Sequence, residues 1–381
     1  MIRIKLAGAR PEIDINSLED IALFHCSNIS PIIESKLIFL CLYIHVIPHP
    51  KARQCLFNKC PLHHKTKEAL LKIILDGKLT SKTHQNLLVH SELNTSVFSI
   101  SDIYKLLFWL ISNINLLLIE QPKNLKKLHT NCTIQFKHAY KYLIKKDTLY
   151  LQNQIFNYKK LTSKKGYNDW NNTRLNDFIG TRTCYYCNRQ SVIAVVNKEG
   201  NKIATPQLDH FFDKSSHPLL ALSFYNLIPC CGNCNLKKSD GQYSPESHIH
   251  PYLDEFGDDG TFTYNTDCFA TSIGESNDLD IDVLFDERTT KGKKVKNSIE
   301  DLGLIDIYSK AHKDDVRELI KLKYLSNDKY LEDLVVMYPH SDFTLEEVYQ
   351  LAFRNYYQED DLFRRPLAKL TKDITTELGF Y

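Results

Sequence analysis

The sequence predicts an α+β protein in which mainly helical regions flank a small β-containing centre built around a four-cysteine metal site. Three observations carry this reading. Leucine- and isoleucine-rich stretches of helical length recur in 1–165, and apolar stretches of similar length return after 310. A β-branched pattern broken by Gly200 occupies 191–207. Between 184 and 234 stand two Cys-x-x-Cys pairs. At 381 residues, with 43% hydrophobic and 25% charged residues, the composition is that of a globular chain and excludes a fibrous or disordered one. We divide it into a helical region 1–165 with a basic segment 121–168, a central domain 166–245, and a region 246–381 in which an acidic stretch precedes helices.

In order along the chain, Lys36 to Ile47, Glu68 to Leu79 and Ile103 to Glu120 are expected as helices. The apolar runs Leu37 to Ile47 and Leu106 to Ile119 fall short of the roughly 18 to 20 residues a bilayer crossing needs, and Ser112, Asn113 and Asn115 interrupt the second. No membrane span is expected. Residues 1–20 mix Arg3, Lys5 and Arg10 with Glu12, Asp14, Glu19 and Asp20, so no secretory signal and a cytoplasmic location are expected. Ser191 to Val196 and Lys202 to Gln207 read as a hairpin leading into Leu208. Ala311 to Leu325, Tyr330 to Tyr338 and Leu345 to Tyr357 read as helices, with Thr344 and Glu347 spaced as a capping box.

Net charge is only +2, but it is distributed unevenly. From Gln121 to Asn168 there are eleven lysines, Lys141, Lys145 and Lys146 among them, against the single acid Asp147. Tyr140, Tyr142, Tyr150, Phe156, Tyr158 and Tyr167 are interleaved with them. This combination suits phosphate attraction with stacking on bases, or else a solvated helix face. From His250 to Glu287 there are eleven acids and no lysine or arginine. That stretch would repel nucleic acid and is expected to face solvent, a partner, or the basic segment.

Eleven cysteines without a secretory signal favour metal binding over a disulfide scaffold. Cys184-Tyr-Tyr-Cys187 and Cys231-Gly-Asn-Cys234 are separated by 43 residues. A two-residue gap lets one tight turn aim two sulfurs at one ion, and Zn²⁺ prefers four tetrahedral thiolate or imidazole ligands, so a structural Zn²⁺ site is expected. Cys230 lacks the spacing and reads as a buried thiol. Cys55, Cys60, His63 and His64, with His45 and His49 nearby, hold metal-capable groups at no recognisable zinc spacing.

Between the pairs run Leu208-Asp209-His210-Phe211-Phe212-Asp213-Lys214-Ser215, then Phe224-Tyr225-Asn226-Leu227-Ile228-Pro229, then Cys234-Asn235-Leu236-Lys237-Lys238. Histidine is a suitable general base near neutral pH, and Asp209 and Asn235 offer oxygen ligands suited to Mg²⁺ or Mn²⁺. Because neighbouring residues on a strand point to opposite faces, Asp209 and His210 can serve one site only if the strand ends or distorts there. Lys237 and Lys238 are candidate phosphate contacts, along with Lys141, Lys145 and Lys146. Asp213 reads as a loop-start acid and His217 as a loop histidine.

The order of these residues, over about 180–241, resembles the HNH nuclease family, with Pro and Gly of many members replaced by Asp213 and Ser239. The resemblance implies a ββα-metal fold in which His210 is the base, Asp209 and Asn235 hold the catalytic cation, and Asn226 braces the loop. It implies an endonuclease acting on DNA; RNA as substrate and an inert zinc-stabilised nucleic-acid-binding module are the alternatives. More distantly, His250-Pro251-Tyr252-Leu253, Ala311-His312-Lys313-Asp314 and Arg365-Pro366-Leu367-Ala368-Lys369-Leu370 resemble segments of HNH proteins of bacterial anti-phage systems such as Septu. That resemblance implies an effector of antiviral defence paired with an ATPase.

Overall fold

The computed structural model describes residues 1–8, 15–46, 100–144, 151–199, 201–238, 242–337 and 343–381. The expected helix Glu68 to Leu79, the Cys55 to His64 group, His49, Ser239, Lys145 and Lys146 lie outside these residues. The described chain is mostly helical, with small two-stranded antiparallel hairpins, so the α+β expectation holds at that level.

Helices α1 (Leu18–Val46) and α2 (Ile100–Ile119) pack against each other. On α1, Ile29, Ile33 and Leu37 recur at four-residue spacing and are fully buried; on α2, Ile103, Leu106, Leu107, Leu110, Ile114 and Leu117 form the matching stripe. Each such side chain contributes on the order of 1.5–3 kcal/mol by leaving water. The helix α2 is longer than its apolar run, and its window Asp102–Ile119 is long and apolar enough to cross a bilayer by length and composition. Here its stripe is spent inside the core. Pro122, at the first position of α3 (Pro122–Gln135), starts that helix without losing a needed N–H, and α4 (Lys137–Leu143) follows. Short helices α5 (Tyr158–Thr162) and α6 (Asn172–Ile179) lead to the centre.

The expected hairpin is present but shorter, with β1 (Val195–Val196) against β2 (Lys202–Ala204). Next, β3 (Gln207–His210) pairs antiparallel with β4 (Leu227–Cys230) in the register Gln207↔Cys230 to His210↔Leu227, and α7 (Gly232–Lys238) follows directly. A further hairpin, β5 (Thr261–Thr266) with β6 (Leu279–Leu284), lies within the acidic stretch, where no strand is expected from composition. Its buried Phe262, Leu279, Ile281 and Val283 face the core, while Asp280 is exposed.

The counter-charges of the acidic stretch are local. Lys291 bridges Asp254 and Asp259 at 3.2 and 2.9 Å, Lys296 meets Glu287, and Lys313 meets Asp280. Exposed pairs of this kind add little stability, but they match these acids with lysines that follow them and not with the basic segment. Helices α8 (Phe269–Ser272), α9 (Thr290–Leu302), α10 (Leu304–Ala311), α11 (Lys313–Leu325), α12 (Tyr330–Val336), α13 (Leu345–Phe353) and α14 (Ala368–Glu377) complete the fold. The Thr344 and Glu347 capping box is formed at α13. A buried Lys369–Asp373 pair at 2.6 Å lies on α14, and Asp373 also accepts the Phe262 N–H, tying the last helix to β5. Buried residues of all three regions join one continuous core.

Candidate metal centre and the Asp209–His210 site

The first cysteine pair sits in a tight turn closed by a bridge between Thr183 and Ser191. The Asn188 N–H donates to Cys184 O at 2.7 Å, and Asn188 adopts a left-handed conformation (φ 49°) that turns the chain back. The second pair straddles the start of α7. All four sulfurs are buried and lie within 4.8 Å of one another. Cys187 and Cys231 are 3.9 Å apart, far beyond a disulfide bond of ~2.05 Å and close to the ~3.8 Å that tetrahedral Zn–S bonds of ~2.3 Å require. Burial raises the Cys184 thiol, while neighbouring sulfurs lower Cys187 and Cys231. Four converging buried thiols form a donor set that fits a structural Zn²⁺. Cys230 is fully buried, outside the cluster, and burial raises its thiol.

Strand β3 ends at His210. On its α7 side, Asp209 Oδ2 accepts the Tyr186 hydroxyl at 2.6 Å and lies 3.1 Å from Lys238 Nζ. Gln207, two residues earlier and so on the same face, accepts from the Asn235 Nδ2 amide at 2.7 Å, a bond that does not use the Asn235 carbonyl oxygen. Asn235 is thus tied to Gln207, and Asp209, two residues along β3, to Tyr186 and Lys238.

His210, the last residue of β3, carries its ring toward the loop that follows the strand. Its Nε2 is 3.0 Å from Ala221 O, and a carbonyl can only accept, so the proton resides on Nε2 and Nδ1 keeps its lone pair. Tyr158 packs edge-on against the ring at 4.4 Å. Burial lowers His210 to about 4, partly opposed by the Ala221 carbonyl, with Lys214, Asp209 and Lys238 close enough to contribute. The imidazole is therefore neutral at pH 7.

The loop carrying Ala221 is pinned from several sides. Asn226, fully buried, donates to Phe212 O and Leu220 O and accepts the Phe212 N–H, spanning the loop from within. His25 of α1 donates from Nε2 to Leu222 O at 2.8 Å and accepts the Trp170 indole N–H on Nδ1. Ser223 donates to Leu117 O on α2. His25 and Trp170 do not stand out in the sequence, since neither sits in a motif. Tyr186 carries a weak signal, because residues inside a Cys-x-x-Cys turn are held close to whatever the cysteines support.

Lys238 corrects the expectation of a phosphate contact. It is 4% exposed, its ammonium donates to His210 O and Phe211 O besides meeting Asp209, and it lies over the Tyr243 ring at 4.3 Å. The proximity of a buried carboxylate and two carbonyls draws it inward. Lys237 is exposed, as are Lys123, Lys126, Lys127, Lys137 and Lys141. Among the described residues the interleaved aromatics, in contrast, are turned inward: Tyr140, Phe156 and Tyr167 are buried and Tyr142 and Tyr158 are partly buried. Asp213 accepts the N–H groups of Ser215 and Ser216, as a loop-start acid does, and His217 donates to Asp213 O with its ring 4.8 Å from that of His129.

The three outlying segments converge on this centre. Tyr252 donates to Leu227 O on β4, Tyr308, packed against His312, donates to Cys187 O, and the N–H groups of Leu367 and Lys369 reach the backbone and side-chain oxygens of Asn188. Compared with models of known families, with curated proteins and with solved structures, the chain matches none of them.

Proposed function

We propose that the protein is a metal-dependent endonuclease of the HNH type that hydrolyses DNA phosphodiester bonds. The observation that carries this reading is the His210 imidazole at the end of β3, held neutral with its proton on Nε2 against Ala221 O and, among the described residues, no hydrogen bond at Nδ1. A histidine in this state is ready to take a proton from water. Asp209 and Asn235 are the residues that would hold a Mg²⁺ or Mn²⁺ ion, an oxygen donor set suited to such hard cations. When bound, the ion supplies charge neutralisation on the phosphate and on the departing oxygen. Asn226 keeps the loop that presents Ala221 in place, and the four-thiolate Zn²⁺ site holds the start of α7 and with it Asn235. Exposed lysines of α3 and α4, with Lys237, attract the phosphate backbone. An ATPase partner and a role in antiviral defence are part of the same proposal, with the helical flanks as the elements that gate activity.

The test is incubation of the purified protein, beside His210→Ala, with supercoiled plasmid and with total RNA, each in Mg²⁺, Mn²⁺ or EDTA. Metal-dependent loss of plasmid by the wild type alone is expected. Loss of RNA instead would reassign the substrate. Cleavage of neither, in the presence of a co-purifying ATPase as well, would favour an inert zinc-stabilised module.

A further inference from the structure

We infer that Tyr186, inside the first Cys-x-x-Cys turn, is a positioning residue that aims the Asp209 carboxylate at its cation and so couples the thiolate cluster to the catalytic centre. This rests on the reading that Asp209 holds the cation. Tyr186 is fully buried between Cys184 and Cys187, so its ring follows those two sulfurs. Its hydroxyl donates to Asp209 Oδ2 at 2.6 Å, and Lys238 Nζ meets the same oxygen at 3.1 Å. Two donors on one oxygen fix the rotation of the carboxylate and leave Oδ1 outside both bonds, as the oxygen through which Asp209 would hold a cation. Partners of this kind hold a ligand in place before the ion arrives, and their removal typically costs 10–100-fold in metal affinity.

The two donors act in opposite directions on a cation. Tyr186 is neutral and only orients. Lys238 orients too, but its positive charge, 3% exposed and poorly screened, opposes a second positive charge at the same carboxylate. Removing the tyrosine hydroxyl weakens cation binding, whereas removing the lysine charge while Tyr186 still pins Oδ2 strengthens it. A merely structural role for these residues would weaken binding in both cases.

The experiment is titration of the zinc-loaded full chain with Mn²⁺, followed by the electron paramagnetic resonance signal of free Mn²⁺, for wild type, Tyr186→Phe, Lys238→Met and Asp209→Asn. Zinc content and thermal midpoint are recorded for each. The wild type is expected to bind Mn²⁺ and Asp209→Asn to lose it. Tyr186→Phe is expected to bind roughly 10–100-fold more weakly with zinc content unchanged, and Lys238→Met more tightly. Wild-type affinity in Tyr186→Phe would overturn the inference. If that variant loses zinc, Lys238→Met decides alone: weaker binding there would assign the positioning to the lysine. A wild type that binds no Mn²⁺, or an Asp209→Asn that binds as well as wild type, would remove Asp209 as the ligand and the inference with it.

Discussion

His210 Nε2 and Ala221 O, 3.0 Å apart across the loop between β3 and β4, fix which nitrogen of the imidazole carries the proton. The same burial that enforces this bond lowers His210 to about 4. Only the neutral ring can accept a proton, so in the proposed enzyme kcat/KM should hold from pH 7 down to about 5 and fall as pH drops through about 4. A profile with its acid limb at the ordinary histidine value of ~6.5 would mean that His210 is solvated in the working state. His210→Ala should lower cleavage by roughly 10²–10⁴-fold, the range associated with loss of a general base, with zinc content unchanged. Plasmid relaxation read against zinc analysis checks both halves.

Buried neutral histidines also set the acid stability. Burial lowers His25 and His210 to about 4 and His129 and His250 to about 3. Their unfolded value is ~6.5, so between about pH 6.5 and 4 the unfolded chain binds more protons than the folded one, and stability falls as pH falls through that window. Each histidine titrating only when unfolded contributes about 1.4 kcal/mol per pH unit. Urea midpoints should therefore decline from pH 7 to pH 5 while bound zinc, measured in the same samples, stays constant. A flat midpoint would show that these rings are protonated within the folded chain.

The cysteine site was legible because its signal is local: a two-residue gap dictates turn geometry wherever the turn sits in the fold. The helical character of the flanks followed from apolar spacing, as on α1 and α2. The β5–β6 hairpin was not legible, because Asp278, Asp280 and Asp282 dominate the composition and hide the alternation of Leu279, Ile281 and Val283. Nor was Lys238, since lysine is almost always exposed and its partner Asp209 is distant in sequence. The basic segment misled in the same way. Its lysines are on the surface, but Tyr140 and Tyr167, which beside them suggested base stacking, belong to the core.

Cys184→Ser tests the zinc centre directly. With three thiolates left among buried sulfurs, the ion should be lost or weakly held, and the expected readout is less than one zinc per chain together with lowered solubility. Because Tyr186 and Asn235 are adjacent to cluster cysteines, the same variant should lose Mn²⁺ binding. A wild type containing no zinc by metal analysis would refute the site.

The exposed lysines are separable from the buried one by salt. Replacing Lys126, Lys141 and Lys237 by Gln should weaken DNA binding and flatten the plot of log affinity against log salt by about 0.9 for each phosphate contact removed. Fluorescence anisotropy over a salt series reads this slope. An unchanged slope would return α3 and α4 to ordinary solvated faces.

Asn188 joins the first cysteine turn to the C-terminal helix, and its substitution should separate that joint from the site. Its amide donates to Thr183 Oγ1, Leu362 O and Arg365 O, and its side-chain oxygen accepts the Lys369 N–H at 3.0 Å. The residue is 1% exposed, so each partner left behind is buried and loses its bond without water to replace it. Its φ of 49° adds backbone strain for most other residues. Asn188→Ala should therefore destabilise by roughly 2–4 kcal/mol, at the high end of single substitutions. Asn188→Gly, which relieves the strain and restores none of the hydrogen bonds, should recover only a minor part, about 1 kcal/mol. Denaturant midpoints of the two variants measure the division: equal stability would mean that the side-chain bonds dominate entirely, and full recovery by glycine would mean that the turn conformation alone requires asparagine.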